Sequence, residues 1–412
     1  MKELVKKFIP GFIIGFYHYF LAALGAFFYG FPSRRLIVIG ITGTSGKSTT
    51  AELCSLILDE AGFKTASLSS IKFKIGKKEW ENKLKMTMPG RFKIQGFLRK
   101  AVRAGCKYAV LEVTSEGIKQ HRHKFINFEV AVFTNLSPEH IEAHGGFKNY
   151  RKAKLQLFKK CGKTHIINLD DKNAEYFWKI PAQRKIGYRI KEKKAEIKTI
   201  GGNLGNFCFE VPKIKLLGEF NAYNSVSAVS FGLSQGISLD ICQKALEKIK
   251  EIPGRMEIVI KTPFVVVVDY AHTPEALEKV YKTLKKESFG KGNLICVLGS
   301  CGGGRDKWKR PQMGRIASQY CQKVIITNED PYNEDPAEII NQVAKGAGQR
   351  AVKILDRRRA IREALKTAGA GDRVVITGKG SEPWMCIKKG KKIPWDDRQI
   401  ARQELLKLKK LT

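Results

Sequence analysis

Short apolar runs alternate with longer stretches of helical periodicity through most of the chain. Leu36–Ile39 is a run of the kind a buried parallel strand uses. Gly43-Thr-Ser-Gly46-Lys47-Ser48 turns the chain, and Thr49–Gly62 follows with Leu53, Leu56, Ile57 and Ala61 at helical spacing. Further strands are expected at Lys64–Lys74, Lys107–Val113, Val130–Asn135, Thr164–Leu169, Lys185–Tyr188 and Phe207–Val211. Helices are expected at Phe92–Ala104, at Asn149–Lys159, from Leu217 to about Gly236, and over 239–250. Pro253-Gly254 breaks the pattern and sets a boundary near 252. Beyond it, strands at Phe264–Asp269, Leu294–Gly299, Lys323–Thr327 and Arg373–Thr377 alternate with helices near 275–285, 311–320, 336–347 and 357–367. That alternation predicts a second open sheet.

The start of the chain follows neither period. Phe8–Pro32 contains no charged residue, with Lys6 and Lys7 before it and Arg34 and Arg35 after it. The run is long enough for a transmembrane helix, but Pro10, four glycines and His18 interrupt it, and no small-residue cleavage site follows closely. Three readings compete: it spans a membrane, it lies on one with cations and aromatics at the interface, or it packs on the globular body. Its end runs almost directly into the Leu36 strand, which belongs inside a sheet, so surface contact or packing is the expected reading.

Strand, glycine loop, Lys-Ser and helix make up the layout of a phosphate-binding loop. Glycines let backbone N–H groups approach phosphate, the helix N-terminus adds positive potential, Lys47 reaches the terminal phosphates, and the Ser48 hydroxyl holds Mg²⁺. The generic pattern wants glycine where Ile41 stands. In open α/β sheets ligands collect at the carboxyl ends of strands. There the chain places Glu112 after one strand and His140 after another. Lys154, on a lysine-rich helix, is bland by spacing alone, and Asn221 and Asn224 read either as helix caps or as contacts to a base or phosphate. The second sheet's strand ends carry Asp269-Tyr-Ala-His272, Ser300-Cys-Gly-Gly-Gly-Arg305-Asp-Lys307, Asn328-Glu-Asp-Pro331 and Gly378-Lys-Gly-Ser-Glu382, four polar turns that look like one face of a site.

Composition narrows the partners. The 412 residues suit two or three domains, and 43% apolar content supports real cores. A net charge of +36 favours anionic partners. The cations are spread rather than blocked, and no interleaved basic–aromatic motif accompanies them, so a nucleic-acid reading rests on charge alone and is not expected. Nine cysteines without a C-x-x-C pair read as a reduced chain with no structural zinc.

Taken together, several motifs resemble the Mur ligase family of ATP-dependent amino-acid ligases, over about 36–400. They are Thr42-Gly-Thr-Ser-Gly-Lys-Ser-Thr49, Glu112-Val-Thr-Ser-Glu-Gly, Thr134-Asn-Leu-Ser-Pro-Glu-His140 with His144-Gly145, and Gly218-Glu-Phe-Asn-Ala-Tyr-Asn224. Pro253-Gly-Arg255, Asp269-Tyr-Ala-His-Thr-Pro274, Gly302-Gly-Gly-Arg-Asp-Lys-Trp-Lys-Arg-Pro311 and Gly378-Lys-Gly-Ser-Glu382 follow in family order. The resemblance accounts for Ile41, since the family has its own form of the loop, and it is strongest to the MurE branch, which adds the third residue of the peptidoglycan peptide. It implies an α/β protein: an apolar segment (1–33), a central P-loop ATPase domain with a mostly parallel sheet (34–252), and a C-terminal Rossmann-like α/β domain (253–412).

The resemblance also implies roles. Gly43, Thr44, Ser45, Gly46, Lys47, Ser48 and Thr49 cradle ATP, with Asn221 and Asn224 on the adenine side and Arg255, Asp269, Lys309 and Arg310 as C-terminal nucleotide contacts. Ser48, Glu112, His140 and a carbamylated Lys154 hold Mg²⁺, so that Lys47, Glu112, His140 and Lys154 form the catalytic set. Arg305, Asn328, Glu329, Asp330, Pro331, Tyr332, Gly378 and Glu382 line the pocket for the incoming amino acid. The implied reaction is amide formation: ATP phosphorylates a muramoyl-peptide carboxylate, and the amine displaces phosphate, with closure about the 252 hinge. Two departures stand out. About 35 mostly apolar residues precede the loop strand where the family carries a UDP-sugar domain, so the expected acceptor is lipid-linked or UDP-free, with peripheral membrane contact through 8–32 at the cytoplasmic face. Diaminopimelate-adding members carry Asp-Asn-Pro-Arg where this chain has Glu329-Asp-Pro-Tyr332, and Ser381 stands where histidine is common, which leaves the amino acid open. The rival class is a nucleotide-dependent membrane scaffold without ligase chemistry. Folylpolyglutamate-type ligases share the loop, but the Asp269–Pro274 and Arg305–Pro311 motifs favour the cell-wall branch.

Overall fold

The computed structural model describes residues 10–84, 86–202, 204–286 and 292–409. Residues 8 and 9 of the apolar segment lie outside them. The chain forms two compact units: 1–138, 148–214 and 221–248 in the first, and 139–147, 215–220 and 249–412 in the second.

The first unit is built on a ten-stranded sheet. In chain order its strands are β1 (Ile37–Thr42), β2 (Thr65–Leu68), β3 (Lys72–Ile75), β4 (Lys78–Glu81), β5 (Tyr108–Glu112), β6 (Phe128–Phe133), β7 (Thr164–Asn168), β8 (Arg184–Lys191), β9 (Lys194–Ile200) and β10 (Phe207–Glu210). Their spatial order is β10-β9-β8-β7-β6-β1-β5-β2-β3-β4. The six central strands run parallel, and antiparallel pairs close both edges. This division follows the residues: β5 and β6 are nearly continuous apolar runs buried on both faces, whereas every residue of β4 is exposed.

The edges are where sequence expectation and structure differ. The strand structure expected over Lys64–Lys74 takes the form of two strands, and β4 extends it into a meander. β8 is longer than Lys185–Tyr188 and pairs with β9, which the pattern did not predict. The β8–β9 turn is Glu192-Lys193, both with positive φ. Such turns normally show themselves through Asn or Gly, so the hairpin had no signature.

The second unit is a doubly wound sheet of β11 (Glu257–Ile260), β12 (Val265–Asp269), β13 (Leu294–Leu298), β14 (Lys323–Ile326), β15 (Ala351–Lys353) and β16 (Arg373–Thr377). The order is β11-β12-β16-β13-β14-β15, parallel except for β11. The period of two divides each strand between two cores. Val267, Cys296, Leu298 and Val375 face the helices Pro274–Leu284, Lys309–Tyr320 and Pro336–Ala347. Val266, Ile295, Val297 and Ile376 face the helices Arg357–Thr367 and Asp397–Lys409. A small hairpin, β17 (Trp384–Cys386) with β18 (Lys392–Pro394), follows the sheet.

The apolar segment forms the helix Gly11–Phe28, which packs on the helix Arg91–Arg103 within the first unit. Among the described residues no helix is long and apolar enough to cross a membrane.

One buried ion pair ties the second core together. Arg357 donates to Asp397 at 2.9 and 2.7 Å and to the Thr377 carbonyl at 2.8 Å, with neither charged side chain exposed. Removing one partner strands the other charge in the core. Asp397→Ala is expected to destabilise the second unit by about 3–5 kcal/mol. A lower urea midpoint in equilibrium unfolding checks this, and an unchanged midpoint would refute it.

Candidate functional site

In the first unit the site is made by three adjacent strand ends. β1 lies between β5 and β6, so the loop that leaves β1 meets Glu112 on one side and Thr134-Asn135 on the other. Asn135 holds the loop by accepting from the Ser45 N–H at 2.9 Å and donating to the Ser45 carbonyl at 3.0 Å. The Thr134 hydroxyl donates to the same carbonyl at 2.8 Å, and the Asn135 carbonyl accepts from the Thr44 N–H at 2.9 Å. Gly46, at φ 81°, starts the helix Lys47–Glu60, and a Cβ there would stand 2.3 Å from Asn224 Oδ1. Only glycine fits that turn. Asn224 donates to Asn221 Oδ1 at 2.9 Å, and both asparagines are buried inside the helix Glu219–Ser234 rather than capping it.

Glu112 is 3% exposed. Its Oε2 accepts from the Ser48 hydroxyl and the Ser70 N–H, each at 2.9 Å, and its Oε1 lies 3.7 Å from Lys47 Nζ. Lys47 also donates to the Thr44 carbonyl at 2.9 Å, and Thr49 is buried in the first turn of the helix. Lys154 is 2% exposed and donates to the Gly43 carbonyl at 2.7 Å, its ammonium 4.6 Å from the centre of the Tyr150 ring. A lysine that spacing alone left bland is therefore a buried part of the loop.

Ser48 and Glu112 offer a hydroxyl and a carboxylate, hard oxygen donors of the kind Mg²⁺ takes when substrate phosphates and water complete its shell. Among the described residues no cluster of three or more His, Cys, Asp or Glu is placed to hold a metal by itself.

In the second unit, residues 139–147 are fastened to the turn after β13. Asp306 accepts from the N–H groups of Ile141 and Glu142 at 3.1 and 3.0 Å. Lys309 donates to both oxygens of Glu139 at 2.9 and 3.0 Å. Arg305 Nη1 lies 3.2 Å from each ring nitrogen of His140, whose backbone is left-handed at φ 55°. Arg310 is buried in contacts to Glu334 and Gln342 at 2.9 and 2.7 Å. Lys309 and Arg310, expected at a nucleotide, thus have protein partners: buried Glu139 for Lys309, and the half-buried Glu334 and Gln342 for Arg310.

The four polar turns come together as the pattern predicted. Gly302 N–H donates to the Asp330 carbonyl at 3.0 Å, and Tyr332 packs so closely on Gly303 that a Cβ there would lie 2.5 Å from its ring. Asp330 accepts from Lys379 at 2.8 Å and from the Cys386 N–H at 2.6 Å, and Lys379 also pairs with Glu382. Tyr270 donates to Glu382 at 3.3 Å while Arg255 lies 4.4 Å over its ring. Asp269 accepts from the Met256 and Ala271 N–H groups, each at 2.7 Å, and burial raises its carboxyl above the usual range. Pro331 is buried in the same turn. Beside Asn328, whose Oδ1 is buried with no hydrogen-bond partner, a cavity of about 590 Å³ is lined by Lys353, Leu355, Asp356 and Arg359. Sequence reasoning missed Asn135, Asp306 and Lys379 as site residues, although each lies inside a quoted motif. It missed Ser70 because one serine in a loop has no signature.

Comparisons with known proteins agree across both units. Residues 41–232 match the Mur ligase middle domain and 254–380 the Mur ligase, glutamate ligase domain. The chain is 39% identical over 404 residues to a UDP-N-acetylmuramoyl-L-alanyl-D-glutamate–2,6-diaminopimelate ligase of Syntrophomonas wolfei, covering 93% of this chain and 81% of that one. A UDP-N-acetylmuramyl-tripeptide synthetase of Roseiflexus is 36% identical, at 94% and 82% coverage. A solved diaminopimelate ligase superposes with a TM-score of 0.55 at 31% identity, covering 91% and 79%. Mycobacterium tuberculosis folylpolyglutamate synthase shares the fold at a TM-score of 0.68 and 19% identity, covering 87% and 92%.

Glu329 generates a pH prediction. It is buried with Oε2 unpartnered, and a Cβ on Gly378 would stand 1.9 Å from that oxygen. Burial, partly offset by Arg357, pushes its carboxyl up to about 7 from 4.5. A raised carboxyl leaves stability intact below 4.5 and removes it as pH rises through 7. Glu329→Gln is expected to lose less stability than the parent over that interval, by about 3 kcal/mol. Denaturant midpoints measured across the interval check this. Parallel pH profiles for the two proteins would refute it.

Proposed function

This chain belongs to the Mur ligase family, and from that premise we propose that it is an ATP-dependent ligase joining an amino acid to a muramoyl-peptide carboxylate through an acyl phosphate in peptidoglycan synthesis. The observation that carries this reading is the Lys47–Ser48–Glu112 cluster on a loop braced by Asn135. It is a phosphate cradle with a metal-binding oxygen pair already aligned. Loop N–H groups and Lys47 would bind the β- and γ-phosphates of ATP, with Asn221 and Asn224 supporting the loop on the adenine side. Mg²⁺ bound at Ser48 and Glu112 would neutralise charge on the transferring phosphoryl group. Lys47 stabilises that same charge from the protein. The acceptor carboxylate, a poor electrophile, would attack the γ-phosphorus through one oxygen; the bond from that phosphorus to the β–γ bridging oxygen breaks, ADP leaves, and an acyl phosphate results. The incoming amine then attacks the acyl carbon, the C–O bond to phosphate breaks, and phosphate leaves.

Lys154 is proposed to be carbamylated. Its buried nitrogen beside the Gly43 carbonyl is where an added carboxylate would enter the phosphate cradle as an oxygen donor. His140 is proposed as a further metal donor. Lys309 and Asp306 are assigned to holding its segment, and Arg310 to holding the turn that carries Arg305. Arg255 and Asp269 are kept as nucleotide contacts. The amino-acid pocket is proposed around Arg305, Asn328–Tyr332, Gly378 and Glu382, with Tyr332 in place of the arginine that would grip a second carboxylate. Residues 34–252 are taken as the ATP-binding domain and 253–412 as the C-terminal domain. The apolar helix before the loop strand supports a lipid-linked or UDP-free acceptor, met in the cytoplasm at the inner membrane face.

The test is ATP-dependent phosphate release with Mg²⁺ and bicarbonate. Diaminopimelate, lysine and other amino acids would be offered singly with UDP-linked and with UDP-free muramoyl-dipeptide. Amino-acid-dependent release is expected and identifies the third residue. Tight ATP binding without release from any pair would favour a scaffold. Lys47→Ala is expected to lower kcat by about 10²–10³-fold. Lys154→Ala should lose a comparable factor, while the parent carries a ¹³C carbamate resonance after labelling with ¹³CO₂ that the variant lacks. No such resonance would remove the carbamate from the reading. Asp306→Ala is expected to reduce kcat about tenfold or more with nucleotide affinity unchanged, and equal loss in both would assign Asp306 to general stability.

A further inference from the structure

We propose that the outward face of the helix Gly11–Phe28 is a docking surface for an anionic lipid bilayer. The polarity of this helix is inverted. Its seam against the first unit is made of small residues: Ala22 and Ala26 are 2% and 0% exposed, and a Cβ on Gly25 would stand 3.5 Å from Phe92. The opposite side carries Ile13, Phe16, Phe20, Leu24 and Phe27 at steps of three or four, one continuous stripe. Phe16 and Phe27 are 72% and 73% exposed, where an isolated exposed leucine would need no explanation. Tyr17 and Phe28 widen the stripe at 57% and 71% exposure.

Charge selects the occupant. From Pro10 to Ala51 the sequence contains no carboxylate, and Arg34 and Arg35 stand exposed just beyond the helix. The helix Arg91–Arg103, against which it packs, bears five cations and no anion. An apolar, aromatic stripe with a basic surround matches an anionic headgroup surface with acyl chains beneath it. It does not match a second copy of a chain whose net charge is +36, since two such surfaces would repel. The small-residue seam stays on the first unit, so the helix would lie in the interface and not across the bilayer. Eighteen residues give a helix of about 27 Å, enough to set five side chains along the surface. This surface stands independently of the ligase chemistry, and its test uses no substrate.

The full chain would be sedimented with phosphatidylcholine vesicles, with and without phosphatidylglycerol, at low and high salt. The expected result is about tenfold more protein pelleted with the anionic vesicles at low salt, lost at high salt. A Phe16→Ser, Phe20→Ser, Phe27→Ser variant, changed only at exposed positions, should bind nucleotide as the parent does and pellet about tenfold less. Three results would overturn the proposal. One is no pelleting. Another is pelleting that the variant retains. The third is dimerisation in sedimentation velocity that the variant abolishes while vesicles recruit nothing.

Discussion

A buried carboxylate must be hydrogen-bonded, and the arrangement of the first unit's loop depends on how Glu112 meets that demand. The strand that carries it is buried on both faces, so its last side chain emerges with almost no access to water. One Glu112 oxygen accepts from Ser48 and from the Ser70 backbone, and the other faces Lys47. These contacts fix the first turn of the Lys47–Glu60 helix relative to the sheet. Asn135 and Thr134 fix the loop from the other neighbouring strand. The loop is therefore held at both ends by side chains that a parallel order of β6-β1-β5 alone brings together. The Thr44 and Ser45 N–H groups are used in that bracing, donating to the backbone and side-chain oxygens of Asn135.

The two units meet the problem of buried charge differently. In the first, Lys154 lies under the loop with a carbonyl and an aromatic face as neighbours. In the second, charges are matched in closed sets: Arg357 with Asp397, Lys379 with Asp330 and Glu382, Lys309 with Glu139. Glu329 is the exception, with one oxygen unpartnered between Gly299 and Gly378. A group that burial keeps protonated near neutral pH can donate a hydrogen bond where an ordinary glutamate only accepts. Its two acidic neighbours Asp330 and Glu382 work in the same upward direction as burial.

How much of this was legible in the sequence depends on the distance over which each feature is specified. The central parallel strands and the second sheet were legible because their burial shows as unbroken apolar runs. The loop was legible because glycine, lysine and serine must follow one another closely. The β8–β9 hairpin was not, because its turn uses Glu192 and Lys193 in left-handed conformations that carry no sequence mark. β11, β15 and the Ala174–Trp178 helix are too short for any period to register. Contacts between residues far apart in sequence were hidden for a different reason. Lys154 and Asp306 look like solvated charges in their own segments, and only the fold shows that one reaches Gly43 and the other caps residues 141 and 142.

The segment after β6 groups apart from the strand it follows. β6 belongs to the first unit's sheet, yet residues 139–147 group with the second, as do 215–220. The reason is chemical. Glu139, His140 and Glu142 are polar residues leaving a buried strand, and they find partners in Lys309, Arg305 and the Lys307 N–H. Asp306 adds the helix-start acceptor that residues 141–144 lack among themselves. A linear reading assigns His140 by its neighbours in sequence. Its hydrogen bonds assign it to the unit whose longest segment, 249–412, begins more than a hundred residues later. Any mechanism that uses His140 must then treat the second unit's 302–310 turn as part of what positions it, because Arg305 and Asp306 determine where that imidazole stands.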